Sequence, residues 1–221
     1  MTTAFIGGTG LSLIWPYEKV VDLGLGPTTF GHQSRAQIGK GLINVRGRIH
    51  AYETGSTAAM APVYAWLVEQ GIERVIISGA VGSMDASLPP GQLVEIQDHL
   101  FFGGASPLVG QANAFIDMSQ AYGRGWSGLP RATYAWTHGP HLETPAEIRA
   151  LKSFGGQVVG MSIPPEVILA KHHGMQVYAL ACVVNWAAGQ GAASSIDAML
   201  EIGRQASKAL PDLVRCAMKA L

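Results

Sequence analysis

Residues 47–53 read Gly-Arg-Ile-His-Ala-Tyr-Glu and follow, after Arg46, on the largely apolar stretch Leu42-Ile43-Asn44-Val45. Arg48 and His50, side by side, suit an oxyanion such as phosphate, because guanidinium and imidazole groups make charge-assisted hydrogen bonds to it. Strand alternation is expected to put Arg48, His50 and Tyr52 on one face and Ile49 and Ala51 on the other. Standing alone, the segment would equally fit an edge strand with a solvated polar face.

Other stretches offer related chemistry. In Phe5–Ser12, Phe-Ile-Gly-Gly-Thr-Gly-Leu-Ser, glycines after a first strand let backbone N–H groups approach an anion, and Thr9 adds a hydroxyl. A dinucleotide site would need this loop to open a helix, against which Pro16 argues. Glu143 sits in a Gly/Pro loop before a Pro-initiated helix, where a carboxylate can face a ligand or cap the helix. Met161 and Ser162 end a strand, where open α/β sheets bind ligands; a core Met and an N-cap Ser are the plain alternatives. Asn185 closes a fully apolar strand with an amide that both donates and accepts, although a turn would use it too. The histidines at 32, 99, 138, 141, 172 and 173 fall at no metal-ligand spacing with carboxylate or thiol partners, so no metal is expected.

Positioning these groups requires a scaffold, and the apolar runs supply one. Thr-Ala-Phe-Ile-Gly-Gly, Gly-Leu-Ile-Asn-Val-Arg-Gly, Arg-Val-Ile-Ile-Ser-Gly-Ala and Val-Tyr-Ala-Leu-Ala-Cys-Val-Val-Asn read as strands buried on both faces. Helical spacing is predicted for residues 57–70, 145–154, 165–174 and 195–221, and the alternation implies an α/β fold. Residues 105–114 and 123–132 read as surface loops.

At 221 residues the chain suits one domain, 1–221. Fifteen basic and fifteen acidic residues cancel without a basic block, so neither nucleic acid nor a membrane surface is an expected partner. Cys182 and Cys216 fit reduced thiols, and no stretch reads as a leader or a membrane span, so a soluble cytoplasmic protein is expected. Only 14% of residues are charged while 48% are apolar, more than one such domain usually buries, which points to a homo-oligomer.

Taken in order, Gly8-Thr9-Gly10, Gly-Arg-Ile-His-Ala-Tyr-Glu, Gly-Pro-His-Leu-Glu-Thr-Pro-Ala-Glu, Gly-Met-Ser and Val-Val-Asn resemble the landmarks of the purine nucleoside and methylthioadenosine phosphorylase family. Residues 30–39 resemble its gating loop, and Ser78–Met84 its glycine-rich strand. The resemblance implies a central mixed, twisted sheet flanked by helices and a trimeric or hexameric assembly. It implies phosphate held by Thr9, Arg48, His50, Ser162 and the backbone N–H of Ala80. Tyr52 and Met161 would pack on the ribose, Glu143 and Asn185 would read the purine, and His32 would ride on the closing loop. Phosphate would attack C1′ of an oxocarbenium-like sugar while Asn185 stabilises charge on the departing purine, with no cofactor beyond inorganic phosphate as co-substrate.

Glu143 can accept the N1 hydrogen of a 6-oxopurine, whereas adenine N1 is itself an acceptor, so hypoxanthine or guanine is favoured. Where 6-oxopurine enzymes have a histidine for the 5′-hydroxyl, the match is Ile196, and an apolar group there suits a 5′-methylthio substituent. The pattern is most similar to the methylthioinosine phosphorylase branch, with inosine, guanosine and methylthioinosine all open as substrates. A methylthioadenosine phosphorylase, a hydrolytic nucleosidase on the same fold and a non-catalytic nucleoside-binding protein are the alternatives. The chain departs from the family near residues 120–132, where a helix is missing, and around Phe115, which aligns with a residue lent by a neighbouring subunit.

Overall fold

The structure, a computed structural model, describes residues 2–8 and 10–220. Its strands are β1 (Thr2–Ile6), β2 (Lys19–Asp22), β3 (Arg35–Gly39), β4 (Leu42–Arg46), β5 (Ile72–Ser83), β6 (Leu93–Leu100), β7 (Arg131–Trp136), β8 (Val158–Gly160) and β9 (Gln176–Trp186). Helices α1 (Ala51–Thr54), α2 (Ala61–Glu69), α3 (Pro145–Ser153), α4 (Ile163–His172), α5 (Ile196–Ala206) and α6 (Leu210–Lys219) complete the α/β fold. The expected mixed sheet is present, in the order β2-β3-β4-β1-β5-β8-β7-β6-β9, and β5 also pairs with β9. That extra pairing closes β5, β8, β7, β6 and β9 into a ring, which removes the free edge that an open sheet would leave there.

β9 shows why the sequence folds this way. Val177, Ala179, Ala181 and Val183 face one apolar cluster, which α2 and α4 cover. Tyr178, Leu180, Cys182 and Val184 face the other, which takes in Leu210, Leu213, Val214 and Ala217 of α6. A strand buried on both faces has no polar face to show, so it reads as one apolar run. Arg74, almost fully buried in β5, donates from Nη1 to the carbonyls of Ala217 and Met218 at 2.9 Å and from Nη2 to that of Ala220 at 3.0 Å, tying the last turn of α6 to the sheet.

Gly47–Glu53 is not a strand. Gly47 takes φ 75° and ends β4, with the backbone of Gln33 packed where a side chain would go. His50 is then the N-cap of α1, and Glu53 accepts from its backbone N–H at 2.8 Å, forming a capping box. His-Ala-Tyr-Glu carries the one-to-four spacing that starts a helix, and this local signal overrides the strand alternation. The 57–70 helix begins only at Ala61, after turns, and the C-terminal helix divides into α5 and α6.

Between β6 and β7 the chain runs irregularly from Phe101 to Pro130, with no helix in the 120–132 region. This segment is not simply a surface loop. The buried Glu95 carboxylate accepts from Gly125 N at 2.5 Å, Ser127 N at 3.2 Å and Ser127 Oγ at 2.6 Å, and Trp126 packs edge-on against Tyr178.

Candidate active site

Two adjoining clefts open at the carboxyl ends of the central strands, and His50 lines both. The smaller, about 220 Å³, is polar, with Gly8, His32, Asn44, Arg46 and Arg48 among its walls. The larger, about 460 Å³, brings together Tyr52, Ala80, Glu143, Met161, Ser162, Asn185 and Ile196. All the site residues expected from the sequence therefore line one or other cleft except Thr9, which lies outside the described residues.

Arg48 leaves the turn after β4 and is buried. Its Nη1 donates to the Ser78 carbonyl at 2.6 Å, its Nε meets the Glu166 carboxylate, and its buried Nη2 has no hydrogen-bond partner among the described residues. A buried guanidinium nitrogen without an acceptor is costly, and an anion in the polar cleft would relieve it. Gly8 must lack a side chain here: a Cβ would sit 2.7 Å from the Ser78 oxygen and 3.1 Å from Arg48 Nη1.

His50 and His32 are gathered by Glu53, a residue to which the sequence assigned no task. Its side chain accepts from Thr28 Oγ1 at 2.5 Å and contacts Nδ1 of His32 and of His50, both at 2.9 Å. Burial alone would raise the Glu53 pKa, but the bonds from Thr28, the His50 backbone, His32 and His50 outweigh it and hold the carboxyl at about 2. His50 is pushed down to about 4, chiefly by burial and then by Arg48, against the pull of Glu53. The imidazole is therefore neutral near pH 7, with Nδ1–H on Glu53 and a lone pair on Nε2. It is not the charged donor that its place beside Arg48 suggested. Three ligand-type atoms of His32, His50 and Glu53 lie within 4.8 Å of one another, a grouping that linear spacing could not disclose.

Both groups bind protons more weakly folded than unfolded, so acidification from about pH 6.5 to 2 should favour unfolding. Each shift is worth on the order of 3 kcal/mol, and the two are not additive because they share a hydrogen bond. Urea midpoints for wild type and His50→Gln between pH 7 and 4 check this. The variant should lose much of the slope between pH 6.5 and 4, and an unchanged slope would refute the assignment.

In the larger cleft the plain readings of three residues fail. Thr144 and Glu147, not Glu143, form the capping box of α3. Glu143 instead accepts from Thr137 Oγ1 at 2.6 Å through Oε1, leaving Oε2 for a ligand. Ser162 is the N-cap of α4 but makes no side-chain cap bond; its N–H donates to Tyr134 Oη at 3.1 Å, which sets the residue at the cleft wall rather than on the helix end. Asn185 is still within β9, opposite Gly82, and Val184 is the extra residue where the pairing with β5 shifts from Val81↔Val183 to Gly82↔Asn185. Such a bulge re-aims a side chain, and here both Val184 and Asn185 line the cleft. Asn185 Nδ2 spends one hydrogen on the Trp186 carbonyl at 2.8 Å, and the second remains.

Met161 packs against Gly139, whose φ of 71° and missing side chain let the Glu143 loop approach it. Tyr52 stacks on His50 with ring centroids 4.8 Å apart, and Phe30 of the 23–34 loop meets Tyr52 edge-on at 5.5 Å. The sequence missed Ser78, Glu166 and Tyr64, the surroundings of Arg48. The only available signals were a glutamate and two prolines at the start of α4, which are also what an ordinary helix start shows.

Residues 4–218 match the model of the phosphorylase superfamily. The chain is 34% identical to purine nucleoside phosphorylase 1 of Bacillus subtilis over 194 residues, covering 78% of this chain and 71% of that protein. It is 30% identical to a probable S-methyl-5′-thioinosine phosphorylase of Methanothermobacter thermautotrophicus, covering 98% and 83%. A schistosome purine nucleoside phosphorylase in complex with hypoxanthine superposes with a TM-score of 0.86 at 26% identity, over 99% of this chain and 90% of that one. A polar cleft beside an apolar one, on this strand order and with these relatives, has one consistent reading: the chain belongs to the phosphorylase superfamily, among its purine nucleoside phosphorylases.

Proposed function

We propose that the protein cleaves 6-oxopurine nucleosides by phosphorolysis, giving the free base and ribose 1-phosphate or its 5-methylthio analogue. Phosphorolysis of purine nucleosides is the coarse activity, and the relatives named above carry it in their names. The observation that carries the reading further is His50, shared by a polar cleft with an unpartnered arginine nitrogen and an apolar cleft ending in Glu143 and Asn185.

In this reading Arg48, Ser162, Thr9 and the Ala80 N–H hold phosphate, and neutral His50 accepts the phosphate O–H through Nε2. Tyr52 and Met161 support the ribose. Glu143, fixed by Thr137, accepts the purine N1–H through Oε2, and the free Asn185 hydrogen answers the charge that builds on the leaving purine. Phosphate is the only co-substrate, and neither metal nor organic cofactor takes part.

A 5′-methylthio substituent is favoured by one specific feature: Ile196 and Met199, both apolar, line the larger cleft. Exposed Phe102, Phe115 and Phe154 support a homo-oligomer. No helix among the described residues is long and apolar enough to cross a membrane; a cytoplasmic location is part of the same proposal.

The test is an assay of inosine, guanosine, methylthioinosine and methylthioadenosine, each with and without phosphate. Base release should require phosphate and favour the 6-oxopurines. Undiminished cleavage in phosphate-free buffer would make the protein a nucleosidase, and binding without cleavage would make it a non-catalytic receptor.

A further inference from the structure

Arg48 is gripped by groups to which the proposed phosphate site assigns no role. Glu166, in the first turn of α4, is buried with 3% exposure, and its carboxylate meets Arg48 Nε. Its other oxygen, Oε2, accepts from the hydroxyl of fully buried Tyr64 of α2 at 3.1 Å. Burial, then the charge of Glu166, pushes the Tyr64 pKa up, which keeps that hydroxyl protonated as the donor. Nη1 is fixed on the Ser78 carbonyl at 2.6 Å. A guanidinium is a rigid plane, so fixing Nε and Nη1 also fixes where Nη2 points. Nη2 is buried and, among the described residues, has neither a hydrogen-bond partner nor the ion pair that Nε makes with Glu166.

We infer that Glu166 is the positioning residue and counter-charge of the phosphate site: it aims Arg48 and, by neutralising it, holds the affinity for phosphate and for the phosphorylated sugar at a level that allows release. The inference rests on the reading of Arg48 as a phosphate ligand. Coulomb attraction from Arg48 is opposed by repulsion from Glu166, and in a buried setting neither is screened strongly by solvent. A buried ion pair adds little net stability, so its presence beside an anion cleft is better explained by orientation and charge balance than by folding.

The two tasks separate on substitution. Glu166→Gln keeps a carbonyl acceptor for Arg48 Nε and removes the negative charge, so inorganic phosphate should bind more tightly, by roughly three- to tenfold. Glu166→Ala removes the acceptor as well and frees Arg48 to turn, so phosphate should bind about tenfold more weakly. In both variants KM for the nucleoside should stay at the wild-type value, a split that general loss of structure would not produce.

The experiment titrates wild type, Glu166→Gln, Glu166→Ala and Arg48→Ala with inorganic phosphate, reads binding from the shift in unfolding midpoint, and measures KM for phosphate and for inosine. Opposite shifts for Gln and Ala support the inference. Phosphate binding like wild type in both Glu166 variants, or an equal loss in both, overturns it provided Arg48→Ala loses phosphate. If Arg48→Ala binds phosphate normally, the phosphate-site reading itself fails. Should Glu166→Ala not fold, Tyr64→Phe removes only the bond to Oε2. About two- to fivefold weaker phosphate binding with nucleoside KM unchanged then supports the positioning role, and unaltered phosphate binding overturns it.

Discussion

Asn185→Ala should lower turnover by on the order of a hundredfold or more while the unfolding midpoint stays near that of wild type. The side chain sits at the end of β9, after the bulge at Val184, and among the described residues its amide makes one hydrogen bond, to the neighbouring Trp186 carbonyl. Little of the fold depends on it. Asn185 lines a cleft whose neighbouring walls include the apolar Val159, Val184 and Ala187, and one hydrogen of its amide is not used by the Trp186 bond. A single donor in such surroundings is worth far more against developing charge than it would be in water. The loss should fall mainly on kcat, because the negative charge exists in the transition state and not in the bound nucleoside. Near-normal kcat in the alanine variant would remove Asn185 from the chemistry.

Arg48→Ala should act on stability and on phosphate together. Removing the guanidinium leaves Glu166 buried with only Tyr64 as a hydrogen-bond partner, and breaking a buried ion pair from one side costs about 3–5 kcal/mol. The same change removes the buried charged donor of the polar cleft, leaving only the exposed Arg46 among its charged walls, so KM for phosphate should rise roughly ten- to a hundredfold. The double variant Arg48→Ala, Glu166→Ala separates the effects: it should recover much of the lost stability, because no charge is left unpaired, but none of the phosphate affinity. Denaturant midpoints and phosphate titrations at saturating nucleoside measure the two. A single variant that is as stable as wild type and keeps its phosphate KM would contradict both assignments.

The apolar runs and the order of the polar motifs were legible because each is a local pattern. A doubly buried strand such as β9 must be apolar throughout, and a glycine-rich turn or a Pro-initiated helix can be read from a few neighbours. Glu143, Ser162 and Asn185 could be singled out, yet each had an equally local plain reading as a cap or a turn. Only the discovery that Thr144 and Glu147 already cap α3, and that Ser162 caps nothing, removed those readings. In Gly47–Glu53 two local signals compete, strand alternation and a capping box, and nothing within the seven residues ranks them; the folded chain takes the helix start at His50.

By itself the sequence determined the α/β class, the family and nearly all the side chains that line the two clefts, because hydrophobic periodicity and motif order are properties of neighbouring residues. Only the tertiary structure decided what those side chains are. It joined Glu53 to Thr28 and His32 from another loop, so that His50 is neutral, and it set Glu166 and Ser78 around Arg48, so that one nitrogen is left to bind. Charge state and hydrogen-bonding capacity depend on desolvation and on partners that are distant in the chain, and these exist only once the chain has folded.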